Sequence, residues 1–472
     1  MTAISAAGRR LLLARGAVLT LAVGLWLSPV PEGLVPQAWH LFALFAAAIA
    51  SVVVGAFPIL TSSVLALAAA VLSGTLAPAK AYAGFANATI LLIVVAFLVA
   101  RAVVKCGLGE RLGHLVVGVF GRSTLGLGYS IFVVDGVIAP AFPSNTARSG
   151  VLYPLVLSLA EGAGARPGVE GRQRLGRFLM FSGMASLTLS SGLWFTAMAA
   201  NPLGAEIARS YGLEIGFGSW FVASSIPTLV AMALLPLVLY KVIAPEVTAT
   251  PEAPRAARRA LAELGPLRAN EKVVAATFAV MVALWASAST IGLDSTAVAF
   301  LGLGFLLATG VLTLGDIAKE GDVLATFIWF AVLFTLSGQL NELGFMGYLG
   351  ERLAGALAGL SAAVAGVVLV VVYVLLHYLF VSPTAHLVAL FGVFLDVGVK
   401  LGVPVALLAF LLLFATNFFT AITPQGGSAN LLFAGSGYLS QGELYRLGGL
   451  TTAFNLALYL VVGIPWLILV TR

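Results

Sequence analysis

Charge is what this 472-residue chain has least of. Only 9% of its residues are Asp, Glu, Lys or Arg, against about 25% in an average soluble domain. With 60% of the residues hydrophobic, no water-facing surface can be assembled, so the solvent is lipid. There is one cysteine, Cys106, which excludes a disulfide within the chain. Four histidines and that single thiol supply too few ligands for a structural metal cluster. Neither G-x-S-x-G nor H-E-x-x-H occurs, so no enzyme signature is present and no cofactor is expected. A polar stretch long enough to fold in water is also missing. The longest candidate, 245–270, is short and rich in Pro, Ala and Arg, and reads as a linker. The net charge of +6 does not imply a nucleic-acid partner, because nearly all Lys and Arg sit in short segments between apolar runs, where they orient a membrane protein.

What is present is a series of apolar runs. Eleven have spanning length: 11–28, 39–57, 60–77, 86–105, 178–200, 217–243, 272–291, 294–312, 322–341, 403–421 and 451–470. The first follows Arg9, Arg10 and Arg15, but it is longer than a signal-peptide core and no A-x-A pattern follows it. Two further apolar blocks, 123–162 and 360–400, are interrupted by polar, Pro-bearing sequence. They are expected to be helical hairpins that enter the membrane and return. If the N-terminus is cytoplasmic and neither hairpin crosses, the inside segments hold 19 of the 25 Lys and Arg residues. Among them are Arg101, Lys105, Arg122, Arg166, Arg172 and Lys319, while only Lys80, Arg209, Arg352, Lys400 and Arg472 fall outside. That asymmetry supports this orientation, and an odd number of spans places the C-terminus outside.

The two interrupted blocks resemble each other. Phe142-Pro143-Ser144-Asn145-Thr146-Ala147-Arg148 matches Phe380-Val381-Ser382-Pro383-Thr384-Ala385-His386 as F-x-S-x-T-A-cation. Upstream, Leu108-Gly109-Glu110-Arg111-Leu112 returns as Leu349-Gly350-Glu351-Arg352-Leu353. Two matches in order at nearly one spacing indicate an internal repeat. Five spans separate the hairpins, and an odd number makes the second copy inverted. Inverted repeats with broken helices are a recurrent plan of secondary transporters.

Each tip carries the chemistry of a helix start. Ser144 and Ser382 suit N-caps, and Pro383 would occupy a first-turn position where its missing N–H costs nothing. Two helix N-termini presenting free N–H groups form an anion site. Arg148 and His386 stand four residues beyond the capping serines. A cation there faces the positive end of the helix dipole, and a bound anion would relieve that conflict. The alternatives for Arg148 are that it reaches a water-filled vestibule or that it pairs with Asp135, and the pair requires the two hairpin arms to pack together. Ser190-Ser191-Gly192 through Asn201-Pro202, and Asn417 through Thr423-Pro424-Gln425-Gly426-Gly427, follow the hairpins by one helix each. Both suit unwound segments that line a site, although packing of small residues accounts equally well for Ser190 and Ser191.

With these residues in view, the chain resembles the divalent anion/sodium symporter family, which includes dicarboxylate and citrate carriers and the plastid 2-oxoglutarate/malate translocators. The resemblance runs from about residue 40 to the C-terminus. It rests on Pro143-Ser144-Asn145-Thr146, on Ala197-Met198-Ala199-Ala200-Asn201-Pro202-Leu203 and on His377-Tyr378-Leu379-Phe380-Val381-Ser382-Pro383-Thr384-Ala385-His386. It implies an elevator mechanism in a bacterial inner membrane. Residues 112–244 and 356–472 form a transport domain, and 1–111 and 245–355 form a scaffold that pairs into a homodimer. It implies a small dicarboxylate substrate on Ser144, Asn145, Thr146, Ser382, Pro383, Thr384, Asn201, Pro202 and Thr423, and, in a symporter, Na⁺ near Ser144, Asn145 and Gly192. The first Ser-Asn-Thr signature is intact. In the second, Pro383 replaces Asn, a departure closer to the antiporter and plastid branches. Exchange is therefore expected, with Arg148 and His386 as fixed compensating charges in place of Na⁺, and with a gain in mild acid as His386 protonates. The alternatives are a Na⁺-coupled dicarboxylate, citrate or sulfate symporter and, further off, an anion channel or an intramembrane enzyme.

Overall fold

The computed structural model describes residues 6–167 and 173–471. Among those residues the sole β contact is an isolated bridge between Ser123 and Ala249, in keeping with the all-α expectation. Arg172 and Arg472, counted above among the orienting charges, lie outside the described residues.

The first half runs α1 (Ala6–Leu27), α2 (Pro36–Val53), α3 (Ile59–Leu72), α4 (Pro78–Ala81), α5 (Ala88–Cys106), α6 (Leu108–Phe120), α7 (Thr124–Ile138), α8 (Asn145–Gly162), α9 (Gln173–Leu193), α10 (Ala200–Arg209) and α11 (Phe217–Ile243). The expected linker contains α12 (Glu252–Leu264). The second half runs α13 (Ala269–Ile291), α14 (Ser295–Ala308), α15 (Leu314–Ala318), α16 (Gly321–Glu342), α17 (Phe345–Leu357), α18 (Ala362–Leu376), α19 (Pro383–Lys400), α20 (Val405–Phe418), α21 (Ser428–Ala434), α22 (Gln441–Leu458) and α23 (Ile464–Val470). In both halves a left-handed glycine parts a long apolar helix from a shorter one: Gly107 (φ 80°) between α5 and α6, and Gly344 (φ 84°) between α16 and α17. Glycine adopts that conformation without a Cβ clash.

Among the described residues, 11 helices are long and apolar enough to cross a membrane. The number equals the expected one, but the membership differs. Eight of the expected spans are there. The runs at 60–77 and 294–312 give only the shorter helices α3 and α14, each stopped before a left-handed glycine, Gly74 (φ 72°) or Gly310 (φ 71°). The run at 178–200 unwinds after Leu193. Three hairpin arms take their places: Thr124–Ala141, Ala362–Leu379 and Pro383–Lys400.

Packing gathers many of these helices into two clusters, bridged by α17 on α19 and α13 on α11. α9 packs on α7, α8 and α11, α20 packs on α9, and α21 packs on α8. The hairpins and broken helices of both halves thus share one core. α16 packs chiefly on α2, α3 and α5, and α13 on α14. The interface between the clusters contains the site.

Candidate functional site

The two hairpin tips are built alike. Each arm ends in a short 3-10 turn, Ala139–Ala141 or His377–Leu379, and an extended phenylalanine follows. Phe142 N donates to Ala139 O and Phe380 N to His377 O, both at 3.0 Å. Ser144 Oγ then accepts from Ala147 N, and Ser382 Oγ from Ala385 N, both at 3.2 Å. These are the expected N-caps. They leave the Asn145, Thr146 and Thr384 N–H groups without an intrahelical acceptor, as first-turn groups must be.

The broken helices match as well. Asn201 Nδ2 donates across the first break to Ser191 O at 2.9 Å and Trp194 O at 3.2 Å. Asn430 Nδ2 does the same across the second, to Thr420 O at 2.7 Å and Thr423 O at 3.2 Å. Each amide satisfies carbonyls that unwinding exposes. Asn417 Nδ2 donates to Asn201 Oδ1 at 2.8 Å and joins the two breaks. The tips are tied to the breaks: Ala199 N donates to Pro143 O at 2.9 Å, and Thr146 Oγ1 and Ser428 Oγ share a hydrogen bond of 2.5 Å.

Tips and breaks enclose a cavity of about 410 Å³. Ser144, Asn145, Thr146, Ser382, Pro383 and Thr384 all line it. The other expected substrate residues do not. Asn201 is fully buried with its amide committed to the break, Pro202 lies beside it in the core, and Thr423 is buried away from the wall. Thr420, Ser428 and Asn430 line the cavity instead. Facing them is a wall from α5 and α16 that contains Phe97, Val323, Trp329 and Phe330, with Glu320, Asp322 and Thr326 at its polar edge.

The two cations require correction. Arg148 is fully buried and off the cavity wall. The hairpin arms do pack together, and its Nε lies 2.7 Å from Asp135 Oδ1, so its charge is matched within the protein and is not left for a substrate. Its guanidinium also donates to Ala197 O (3.0 Å), Ser190 Oγ (3.0 Å) and Asn145 Oδ1 (2.9 Å). His386 is likewise buried and off the wall. Its ring sits among Tyr373, Phe380 and Phe419, with Nδ1 3.3 Å from His377 Nδ1. His377 Nε2 lies 2.7 Å from Gly426 O. An imidazolium in that box would be buried without a counter-charge, so the geometry offers no reason for activation in mild acid.

The oxygens expected near a Na⁺ ion are also engaged. Asn145 Oδ1 accepts from Arg148, and Gly192 O accepts from Trp220 Nε1 at 3.0 Å. A cation at Asn145 would sit against a guanidinium.

Comparison with known proteins agrees with this architecture. The sodium:sulfate symporter transmembrane region matches residues 9–471. The chain is 39% identical to the "Putative malate transporter YflS" of Bacillus subtilis (strain 168), over 95% of each chain. It is 37% identical to "Dicarboxylate transporter 2, chloroplastic" of Spinacia oleracea, over 95% of this chain and 81% of the relative. It is 31% identical to "Inner membrane protein YbhI" of Escherichia coli (strain K12), over 93% of each. The crystal structure of the YdaH transporter of Alcanivorax borkumensis has the same fold, with a TM-score of 0.59 at 16% identity over 97% of this chain and 96% of that one.

Proposed function

The chain belongs to the sodium:sulfate symporter family, the divalent anion carriers that its motifs resemble, and from that premise we propose that it exchanges one small dicarboxylate for another across a bacterial inner membrane. It is an integral membrane transporter and not an enzyme. Relatives named for malate and dicarboxylates favour C4 and C5 dianions such as malate, succinate, fumarate and 2-oxoglutarate over sulfate. One carboxylate meets each hairpin tip, where first-turn N–H groups and the Ser144, Thr146 and Thr384 hydroxyls donate to it.

The observation that carries exchange over symport is the place of Arg148. Its guanidinium holds Asn145 Oδ1 and the unwound carbonyl of Ala197, oxygens that a free cation would need. The positive charge is bonded to the protein and paired with Asp135, so no ion gradient can act through it. Return of the empty carrier would draw unsatisfied N–H groups along the apolar wall of Phe97, Val323, Trp329 and Phe330. A bound dianion satisfies them, so the carrier returns loaded.

The motion is an elevator: residues 112–244 and 356–472 slide as one body against a scaffold of 1–111 and 245–355, which forms the homodimer. The mutual packing of α7, α8, α9, α11, α20 and α21, and of α2, α3, α5 and α16, supports this division, and α17 on α19 and α13 on α11 are the contacts that bridge it. Glu320 and Asp322 stand at the end of α16 that the charge asymmetry makes cytoplasmic, so the cavity faces inward in this conformation. Side-by-side uptake of malate, succinate, 2-oxoglutarate, citrate and sulfate into loaded liposomes tests the substrate class. Sulfate outcompeting every dicarboxylate would overturn it.

A further inference from the structure

The cavity wall contains a negative charge that an anion carrier does not need. Glu320 and Asp322 both line the space opposite the hairpin tips. Glu320 is neutralised, with Arg101 Nε 2.9 Å from its Oε1. Asp322 is not: among the described residues its side chain makes no ion pair and no hydrogen bond. Its place in the first turn of α16 suits the helix dipole, which explains why the helix tolerates it. The dipole does not require it to face a substrate.

The charges around the cavity are one-sided in function. The positive ends of α8 and α19 converge on one side. Arg148 and His386 lie behind that side and off the wall. The opposite wall is apolar except for Thr326, the paired Glu320 and the bare carboxylate of Asp322. A space of 410 Å³ is roughly 9 Å across as a sphere, a distance over which like charges still repel measurably. Two carboxylates on a substrate can be held by the tips. A third would project towards the scaffold wall, where Asp322 is the unpaired charge and no cation is free to receive it.

We propose that Asp322 bars a third ionised carboxylate from the cavity and so restricts the carrier to dianions. This rests on the dicarboxylate reading above and adds the residue that sets its upper limit of charge. The mechanism is exclusion by a repulsive element and not by size. Removing the charge therefore admits tricarboxylates without enlarging the site.

The test is inhibition of labelled-malate exchange by unlabelled malate and by citrate, at pH 7.5, for the wild type, Asp322→Asn and Asp322→Lys. The ratio of citrate to malate inhibition constants is expected to fall about three- to tenfold in Asp322→Asn, and further in Asp322→Lys. The difference should shrink in high salt, because the carboxylate is exposed. Both variants alter an exposed side chain, and melting curves check that each remains folded. An unchanged ratio in both variants overturns the proposal, as does citrate competing equally with malate in the wild type. The same ratio read as ligand-induced thermal stabilisation in detergent needs no transport. A wild type that binds malate in preference to citrate but exchanges nothing would therefore contradict the exchange reading and leave the role of Asp322 standing.

Discussion

Arg148 and Asp135, from opposite arms of the first hairpin, meet at 2.7 Å with both side chains fully buried. Ser190 Oγ donates to the other oxygen of Asp135 at 2.6 Å, so the pair also fastens the hairpin to α9. Asp135 ends more than two turns before the tip, yet it sets the position of the residue one turn beyond it.

Breaking this pair on one side should be costly. Arg148→Gln leaves a buried carboxylate without a counter-charge, a loss of about 3–5 kcal/mol. Asp135→Asn/Arg148→Gln should regain most of that stability, because neither charge is then left alone. Thermal melts of the two single variants and the double variant measure it. A double variant less stable than either single one would mean that the residues act independently. Exchange should stay impaired in the double variant, since the carbonyl of Ala197 and Oδ1 of Asn145 lose their donor.

The hydroxyls of the tips should matter chiefly for binding, with loss of the Ser144 cap adding only about 1 kcal/mol of instability. Ser144→Ala, Thr146→Ala and Thr384→Ala each remove a donor to a carboxylate, worth about 1.5–3 kcal/mol, or a rise in Kd of roughly 10- to 150-fold. Malate binding by calorimetry on the folded protein reads this directly. Wild-type affinity in all three would reduce the tips to helix caps.

Asn201 and Asn430 should be equivalent. Each holds two carbonyls across a broken helix, so Asn201→Ala and Asn430→Ala should each cost about 1–3 kcal/mol of stability. An Asn430→Ala protein as stable as the wild type would show the likeness of the two breaks to be superficial.

The orientation can be read by labelling. In a Cys106→Ala background, cysteines at 122 and 166, which flank the first hairpin, should both react with an impermeant reagent from the cytoplasm only. Labelling from opposite faces would contradict the inverted-repeat topology.

The hairpin tips were legible in the sequence because capping is local chemistry. Ser144 and Ser382 announce a helix start within four residues, and the repeat of the pattern separates them from ordinary caps. Asn430 escaped for a traceable reason. Ala200-Asn201-Pro202-Leu203 and Ala429-Asn430-Leu431-Leu432 share A-N-x-L, but the second break is longer. Thr196 and Thr420 are 224 residues apart, whereas Asn201 and Asn430 are 229 apart. That five-residue insertion hides the match from any fixed spacing. The wall of Asp322, Thr326 and Trp329 leaves no local trace at all. It faces the tips only because α16 packs beside a hairpin distant in sequence, and no periodicity records such a contact. Arg148 was recognised as a cation out of place, but only the packing of the two arms determines that its partner is Asp135.

The central claim is that Arg148, paired with Asp135, holds the oxygens that a mobile cation would need, so that the carrier takes no Na⁺ and returns only when loaded. It is tested most directly by loading liposomes with or without internal malate, in Na⁺ or choline buffer, and following labelled malate uptake. The account predicts rapid uptake only into malate-loaded liposomes, at the same rate in both buffers. Strong uptake into empty liposomes driven by an inward Na⁺ gradient would contradict it.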